Sequence, residues 1–181
     1  DWNINDDHRA YFRYSKLEQV DANTVNFGGS NVSLNSFWYN HNKTFESYVG
    51  QLFSDWSDNF STEMKVSYRE YDAIRNPFSR LPSVQIRFGG DNLYLGTDQF
   101  SHRNELETDQ LSGFFAGYAY VGDHELKFGA DYETNSIFNL FGRDLYGVYT
   151  FDSLEDFEAG TSSFYSSRGP QPGQSIESIA A

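Results

Sequence analysis

Residues 125–134 read Glu-Leu-Lys-Phe-Gly-Ala-Asp-Tyr-Glu-Thr and give the clearest indication of the fold class. Apolar residues occupy alternate positions, and charged residues fill most positions between them. Successive side chains of a β-strand point to opposite faces of a sheet, so this alternation predicts a strand with one apolar and one polar face. The apolar positions are Leu126, Phe128, Ala130 and Tyr132.

The same alternation recurs along the chain. It is strong over residues 60–69 and shorter over residues 9–14. Residues 45–56 and 110–121 are also strand-like, but apolar on both sides. We predict strands at 8–19, 43–56, 59–73, 100–121 and 124–138.

The connections between these strands have two sizes. Short polar turns are predicted at 5–8, 57–59 and 122–123, whereas long polar connections are predicted at 20–42, 74–100 and 139 onward. Outer-membrane β-barrels show this asymmetry, with tight periplasmic turns and long extracellular loops. We therefore predict an all-β, antiparallel up-and-down meander, part of a transmembrane β-barrel, with all short turns at one end.

Composition supports the same class. The net charge of −13 disfavours binding to nucleic acid phosphates, and the absence of cysteine excludes disulfides and thiolate sites. The mean hydropathy is −0.64, yet 18% of the residues are aromatic, which argues against disorder. No apolar run is long enough for a transmembrane helix. A polar average with abundant Tyr and Phe suits a barrel that meets lipid on one side and water on the other.

A short helix is predicted over residues 151–160, within a long extracellular loop. Ser153 and Asp156 stand three residues apart, as in a capping box, and Gly160 supplies a C-terminal stop. Residues 168–174, rich in Gly and Pro, are expected to form a flexible tail or loop.

Several segments resemble TonB-dependent outer-membrane receptors. The stretches DWNINDDHR at 1–9, QLFSDWSDNF at 51–60 and HELKFGADY at 124–132 are similar to barrel hairpins of that family. The run NLF at 139–141, then YGVYTF at 146–151 and the predicted helix, is similar to the Oar-like, OmpA-related branch. The resemblance spans nearly the whole chain.

The resemblance implies a transport role in the outer membrane of a Gram-negative cell and no enzymatic activity. Barrels of this family are of the 22-stranded, plugged type, so residues 1–181 would supply about a quarter of the wall. We expect the export signal, the plug, the TonB box, the N-terminal regulatory-like domain and the terminal aromatic strand to lie outside these residues. The expected partners are outer-membrane lipid, the rest of the barrel and plug, TonB through those other parts, and an unidentified substrate.

The alternation assigns side chains to two environments. Lipid-facing residues are expected to be Phe12, Phe60, Met64, Val66, Tyr68, Leu126, Phe128 and Tyr132. Lumen-facing residues are expected to be Glu63, Lys65, Lys127, Asp131 and Glu133. Aromatic residues that could form interfacial girdles or stack on sugars are Trp38, Trp56, Tyr118, Tyr120 and Tyr132, and the girdle role is favoured near short turns, as at Trp56. Ligand contacts in the loops are expected from Trp38, Tyr39, Phe78 and Tyr94.

No catalytic, metal or cofactor site is predicted. The four histidines, His8, His41, His102 and His124, lack metal-ligand spacing. The acidic pairs at 6–7 and 155–156 are explained by turn and cap chemistry, without a calcium-loop pattern. Phosphate-binding glycine motifs and the serine nucleophile elbow are absent from the sequence.

A second function remains open from the sequence. A soluble or cell-surface β-sandwich that binds carbohydrate would also show alternating strands and hairpins. Such a fold usually has turns every 8–12 residues and rarely tolerates several loops longer than about 15 residues. The long connections therefore favour the membrane barrel over the sandwich.

Overall fold

The chain forms two β-sheets, seen in a computed structural model that describes residues 1–169 and 172–180. The strands are β1 Trp2–Asn3, β2 His8–Asn23, β3 Asn31–Ser33, β4 Tyr39–Ser57, β5 Phe60–Pro77, β6 Ser83–Phe88, β7 Asp91–Leu95, β8 Arg103–Val121, β9 His124–Gly142, β10 Val148–Phe151, β11 Phe164–Ser166 and β12 Gln174–Ala180. One short α-helix, α1, spans Leu154–Glu158, and a 3₁₀ turn spans Asn35–Phe37.

The larger sheet is the predicted meander. Its seven strands lie in the order β1-β2-β4-β5-β8-β9-β12, and every neighbouring pair is antiparallel. The short turns at 4–7, 58–59 and 122–123 all lie at one end, and the long connections all lie at the other. In the last of these turns, Gly122 adopts φ +60, a conformation that favours glycine. The predicted all-β fold class and the two kinds of connection are confirmed.

Four of the five main strands are longer than predicted at the end that carries the long connections. Strand β2 continues to Asn23, β4 begins at Tyr39, β5 runs to Pro77 and β9 runs to Gly142, whereas β8, predicted to begin at residue 100, begins at Arg103. Polar residues together with Pro77 and Gly142 make up most of these extensions, so their strand character is weak in sequence. Cross-strand pairing extends them, as where Lys43 Nζ lies 2.8 Å from Asp21 Oδ2.

The three long connections are not simple polar loops, and this corrects the sequence prediction. They contribute a second, five-stranded sheet in the order β11-β10-β6-β7-β3. Strands β6 and β7 form a hairpin whose turn residues Gly89 and Gly90 adopt φ +56 and +90. The pairs β10–β6 and β3–β7 are parallel, so they join segments distant in sequence. The buried apolar residues of this second sheet include Ile86, Val148 and Phe151, and the buried Phe37 of the 3₁₀ turn packs near Tyr94 of β7.

The last third of the chain contains the predicted helix, in a shorter form, and one strand that the sequence did not predict. Helix α1 spans five of the ten predicted residues, because Phe151 belongs to β10; Ser153 Oγ accepts a hydrogen bond of 3.0 Å from the Asp156 backbone N–H, and Gly160 follows with φ +69. The tail or loop expected at 168–174 has no regular structure at 168–169 and 172–173, and it leads into the unpredicted β12, which pairs with β9 from Gln174 onward. Residues 170–171 of that prediction lie outside the described residues.

No helix in the described part of the chain has both the length and the apolar character needed to cross a membrane.

Candidate functional site

The register of the large sheet sorts the predicted residues onto two faces. The eight residues expected to face lipid lie on one face, here called the apolar face. The five residues expected in the lumen lie on the opposite face, here called the polar face. Unbroken ladders establish this, because directly paired residues share a face: Val66 pairs with Gly113, which pairs with Tyr132, and Lys65 pairs with Phe114, which pairs with Asp131.

The apolar face carries a band five residues deep, which His8, Ser54 and Thr62 interrupt on β2, β4 and β5. On β5 it runs from Phe60 to Tyr68, about 27 Å at roughly 3.4 Å per residue. Its large side chains are well exposed, with 58% of Val66 and 50% of Phe128 accessible. The first row, at the turn end, contains Phe60. The four rows that follow it toward the loop end are His8-Ser54-Thr62-Gly117-Phe128, Ala10-Leu52-Met64-Phe115-Ala130, Phe12-Gly50-Val66-Gly113-Tyr132 and Tyr14-Tyr48-Tyr68-Leu111-Thr134.

Three tyrosines on adjacent strands form the loop-end border of this band. The rings of Tyr14 and Tyr48 lie 4.9 Å apart, and those of Tyr48 and Tyr68 lie 6.5 Å apart. The Tyr68 hydroxyl lies within hydrogen-bond distance of the Glu70 and Asp109 carboxylates, and the Tyr48 hydroxyl donates to Glu46, so these two phenols point from the apolar band toward charge. The next row is Lys16-Glu46-Glu70-Asp109-Ser136. Apolar side chains thus change to charged ones within one row, across a line of tyrosines.

The opposite border of the band carries Trp56. Its indole Nε1 donates a hydrogen bond of 2.8 Å to Thr62 Oγ1, which holds the ring against the apolar face near the β4–β5 turn. The ring also lies 5.0 Å from the imidazole of His8. Aromatic residues therefore flank both borders of the band.

The polar face carries charges, amides and small hydroxyls, with the apolar side chains of Val49, Phe53 and Phe114 between them. Gln51 Nε2 donates to Glu63 Oε1 at 2.7 Å, and the hydroxyls of Ser67 and Ser112 lie 2.6 Å apart. Tyr118 and Tyr120 also belong to this face, which corrects their candidacy as girdle residues. Tyr118 pairs with Lys127, whose ammonium lies 5.0 Å above its ring, and Tyr120 pairs with Glu125.

A cavity of about 490 Å³ lies where the loop end of the large sheet meets the second sheet. Tyr39, Arg75 and Phe141 reach it from β4, β5 and β9, and by alternation all three belong to the polar face. Its lining residues are Val25, Asn26, Phe37, Tyr39, Arg75, Ser83, Gln85, Tyr94, Asp98, Gln99, Phe100, Phe141 and Val148. The cavity therefore opens on the same side of the sheet as the charged residues.

Arg75 and Asp98 are the two charged residues in the lining, and they differ in their hydrogen bonds. Arg75 Nη1 makes two long hydrogen bonds, 3.5 Å to the Phe100 carbonyl and 3.4 Å to Ser101 Oγ, while its guanidinium lies 5.0 Å from the Tyr39 ring. Asp98 is buried and accepts a hydrogen bond of 2.7 Å from Ser101 Oγ. Burial raises the pKa of Asp98, against opposing hydrogen bonds from Ser101 and the Phe100 backbone.

The four loop aromatics predicted as ligand contacts divide into two pairs. Tyr39 and Tyr94 line the cavity. Trp38 does not: its indole N–H donates to Ser33 Oγ at 2.7 Å. Phe78 is 50% exposed and also lies outside the lining. The sequence did not identify Arg75 as a site residue. Position 75 lies in a predicted loop, so the alternation of a strand could not place its side chain on either face.

A second polar cluster lies buried beside the loops. His102 Nδ1 accepts a hydrogen bond of 3.1 Å from the Tyr146 backbone N–H, and the two rings stack at 4.5 Å. Asp144 adopts φ +60 and its Oδ2 forms ion pairs with Arg143 and Arg168. Burial lowers the pKa of His102, although Asp144 and Asp98 oppose that shift. Within the described residues, no group of three or more acidic or histidine side chains has an arrangement that could hold a metal ion.

None of the protein-family models, curated proteins or solved structures compared with the chain matches it. The resemblance to TonB-dependent receptors therefore stays a prediction from the sequence.

Proposed function

We propose that this chain forms part of the barrel wall of a TonB-dependent outer-membrane receptor, of the Oar-like type, that moves a substrate across the outer membrane. The observation that carries the proposal is the exposed apolar band, bordered by aromatic side chains, on one face of a sheet whose other face is polar. It fits the outward-facing apolar belt of about 25 Å and the aromatic girdles of membrane barrels.

The two faces fit two different solvents. Outer-membrane lipid would contact Phe12, Val66 and Phe128, because the transfer of apolar side chains from water to lipid is favourable. The polar face, with Glu63 and Lys65, would meet the lumen and a plug. In this arrangement the tyrosine row and the charged row beyond it lie at the outer surface, and the second sheet stands above the membrane with the cavity beneath it.

The alternative, a carbohydrate-binding β-sandwich, requires protein to cover the apolar band. Sheets that pack face to face bury alternating apolar residues in a layer about 10 Å thick. The second sheet lies over the loop end of the polar face, where residues of both sheets line the cavity. The large side chains of the apolar band remain about half exposed. The location of the exposed band therefore favours the receptor over the sandwich.

Adjacent single cysteines can test the proposal, because the native chain has none. Val66→Cys and Lys65→Cys lie next to each other on β5 but on opposite faces. We expect a fluorophore at position 66, with the chain in detergent micelles, to be quenched by a nitroxide on a fatty acid. The fluorophore at position 65 should instead be quenched by aqueous iodide. Equal quenching at both positions would contradict a lipid-facing role for the band.

A further inference from the structure

The loop-end cavity has the size and composition of a small-molecule site. Ligand sites commonly enclose about 300–1,000 Å³, with aromatic walls and a few placed polar groups. This cavity is open to solvent on one side and has a volume of about 490 Å³. Its aromatic walls are Phe37, Tyr39, Tyr94, Phe100 and Phe141. Three amide side chains, Asn26, Gln85 and Gln99, complete the polar part of the lining together with the two charged residues and Ser83.

Arg75 is the residue in this lining whose N–H donors are largely free to bind a ligand. Among the described residues, no carboxylate forms an ion pair with it. A guanidinium has five N–H donors, and the two contacts of Arg75 use only Nη1, at 3.4 and 3.5 Å. Tyr39 lies 5.0 Å from the guanidinium carbon and restricts its position. A planar donor fork held by an aromatic ring suits bidentate binding of a carboxylate.

The carboxylate of Asp98 does not offer the matching site for a cation. Its Oδ2 already accepts the Ser101 hydroxyl at 2.7 Å, and the side chain is buried. A ligand ammonium group would have to enter this buried position and compete with those hydrogen bonds. The Arg75 guanidinium is therefore the charged group of the lining that keeps free N–H donors, although it interacts with the buried Asp98 and bonds the same Ser101 hydroxyl.

We propose that the cavity binds a small organic carboxylate with an aromatic or otherwise apolar body. The carboxylate lies on the Arg75 guanidinium, and the body packs against Tyr39, Tyr94 and Phe37, whose ring lies 5.3 Å from that of Tyr94. This inference rests on the proposed function, because it names the substrate class of the receptor's loop-end site. A single guanidinium fits a monoanion, whereas phosphate sites usually gather several donors, such as backbone N–H groups.

Paired probes isolate the contribution of the charge. N-acetyl-phenylalanine, phenylacetate and hexanoate are titrated into the detergent-solubilised chain, each beside its neutral amide, and binding is followed by ligand-observed NMR. We expect at least one acid to bind ten-fold or more tightly than its amide. Arg75→Gln should remove that preference, and Arg75→Lys should retain part of it. Arg87→Gln is the matched control, since Arg87 pairs with Asp152 outside the cavity.

The outcomes separate this inference from the receptor proposal. If no acid binds better than its amide, or if Arg75→Gln binds the acids as well as the native chain does, the carboxylate site is wrong. Binding of a neutral disaccharide such as maltose instead would assign the cavity to saccharides and also overturn the inference. The cysteine quenching experiment concerns only the band, so its result does not depend on whether these probes bind.

Discussion

At the scale of single residues, position within the apolar band sets the cost of a charge. Met64 lies in the middle of the five rows, whereas Phe128 lies one row from the turn-end border. The cost of an arginine on the lipid face is greatest at the bilayer midplane and falls toward the interfaces. Depth within the band is therefore a testable property of each residue.

We expect Met64→Arg to reduce the free energy of unfolding by about 2–4 kcal/mol in the bilayer-refolded receptor, and Phe128→Arg to reduce it by less. Denaturant titration of folding into lipid vesicles measures both changes. Lys65→Ala, next to Met64 but on the polar face, is the control and should change stability little. Similar small effects from all three substitutions would contradict the lipid-facing assignment.

The buried His102 is expected to make the loop layer sensitive to acid. Burial lowers its pKa below the usual 6.5, and Asp98, Asp144 and the stacked Tyr146 ring are its neighbours. The unfolded state therefore binds more protons than the folded state as the pH falls below about 6.5, so stability is lost in that direction. The stability that neutral His102 contributes is present in full above the pKa of histidine in the unfolded state. It declines as the pH falls, until the pH passes the lower pKa of His102 in the folded state.

We expect the near-UV circular dichroism of the tyrosines to weaken as the pH falls below about 6.5, because the loops loosen. The variant His102→Gln should show a smaller pH dependence over this range. His124, exposed at the β8–β9 turn, provides the control, and His124→Gln should leave the profile unchanged. A native profile retained in His102→Gln would assign the sensitivity to other groups.

At the scale of the elements, the close approach of two strands explains why position 129 is a glycine. A Cβ built on Gly129 of β9 would lie 2.4 Å from the Phe115 carbonyl oxygen of β8, a backbone atom that cannot rotate away. Gly113 of β8 has no heavy atom within 4 Å of such a Cβ. The β8–β9 pairing thus tolerates a methyl group at one position and not at the other.

Gly129→Ala should lower the free energy of unfolding by about 1–3 kcal/mol, because the strands must shift to admit the methyl group. Gly113→Ala should be close to neutral. Urea unfolding in detergent, followed by far-UV circular dichroism, compares the two variants. Equal stabilities would show that β8 and β9 do not approach as closely as this structure has them.

At the scale of the whole molecule, the large sheet has two open edges. Strand β1 covers only residues 9 and 10 of β2, and in the described part of the chain β12 is paired on one side alone. Unpaired edges invite association, and closure into a barrel removes them. The apolar face adds a second cause of association in water.

Residues 1–181 expressed alone should therefore aggregate in water or require detergent, and should not insert into lipid as a stable monomer. Size-exclusion chromatography with and without detergent tests this, with near-UV circular dichroism on the main peak. A monodisperse monomer in plain buffer, with fixed aromatic signals, would favour the soluble sandwich.

The sequence alone determined the main strands, their antiparallel order and the two faces, because alternation and turn chemistry are local properties of the chain. Lys127 and Phe128 were assigned to opposite faces without any structure. The second sheet, the row of Tyr14, Tyr48 and Tyr68, and the cavity around Arg75 were decided only by tertiary structure. Each depends on register or on parallel pairing between segments distant in the chain, such as β6 with β10. No local pattern encodes that pairing, because paired residues such as Ser83 and Val148 are far apart in the sequence.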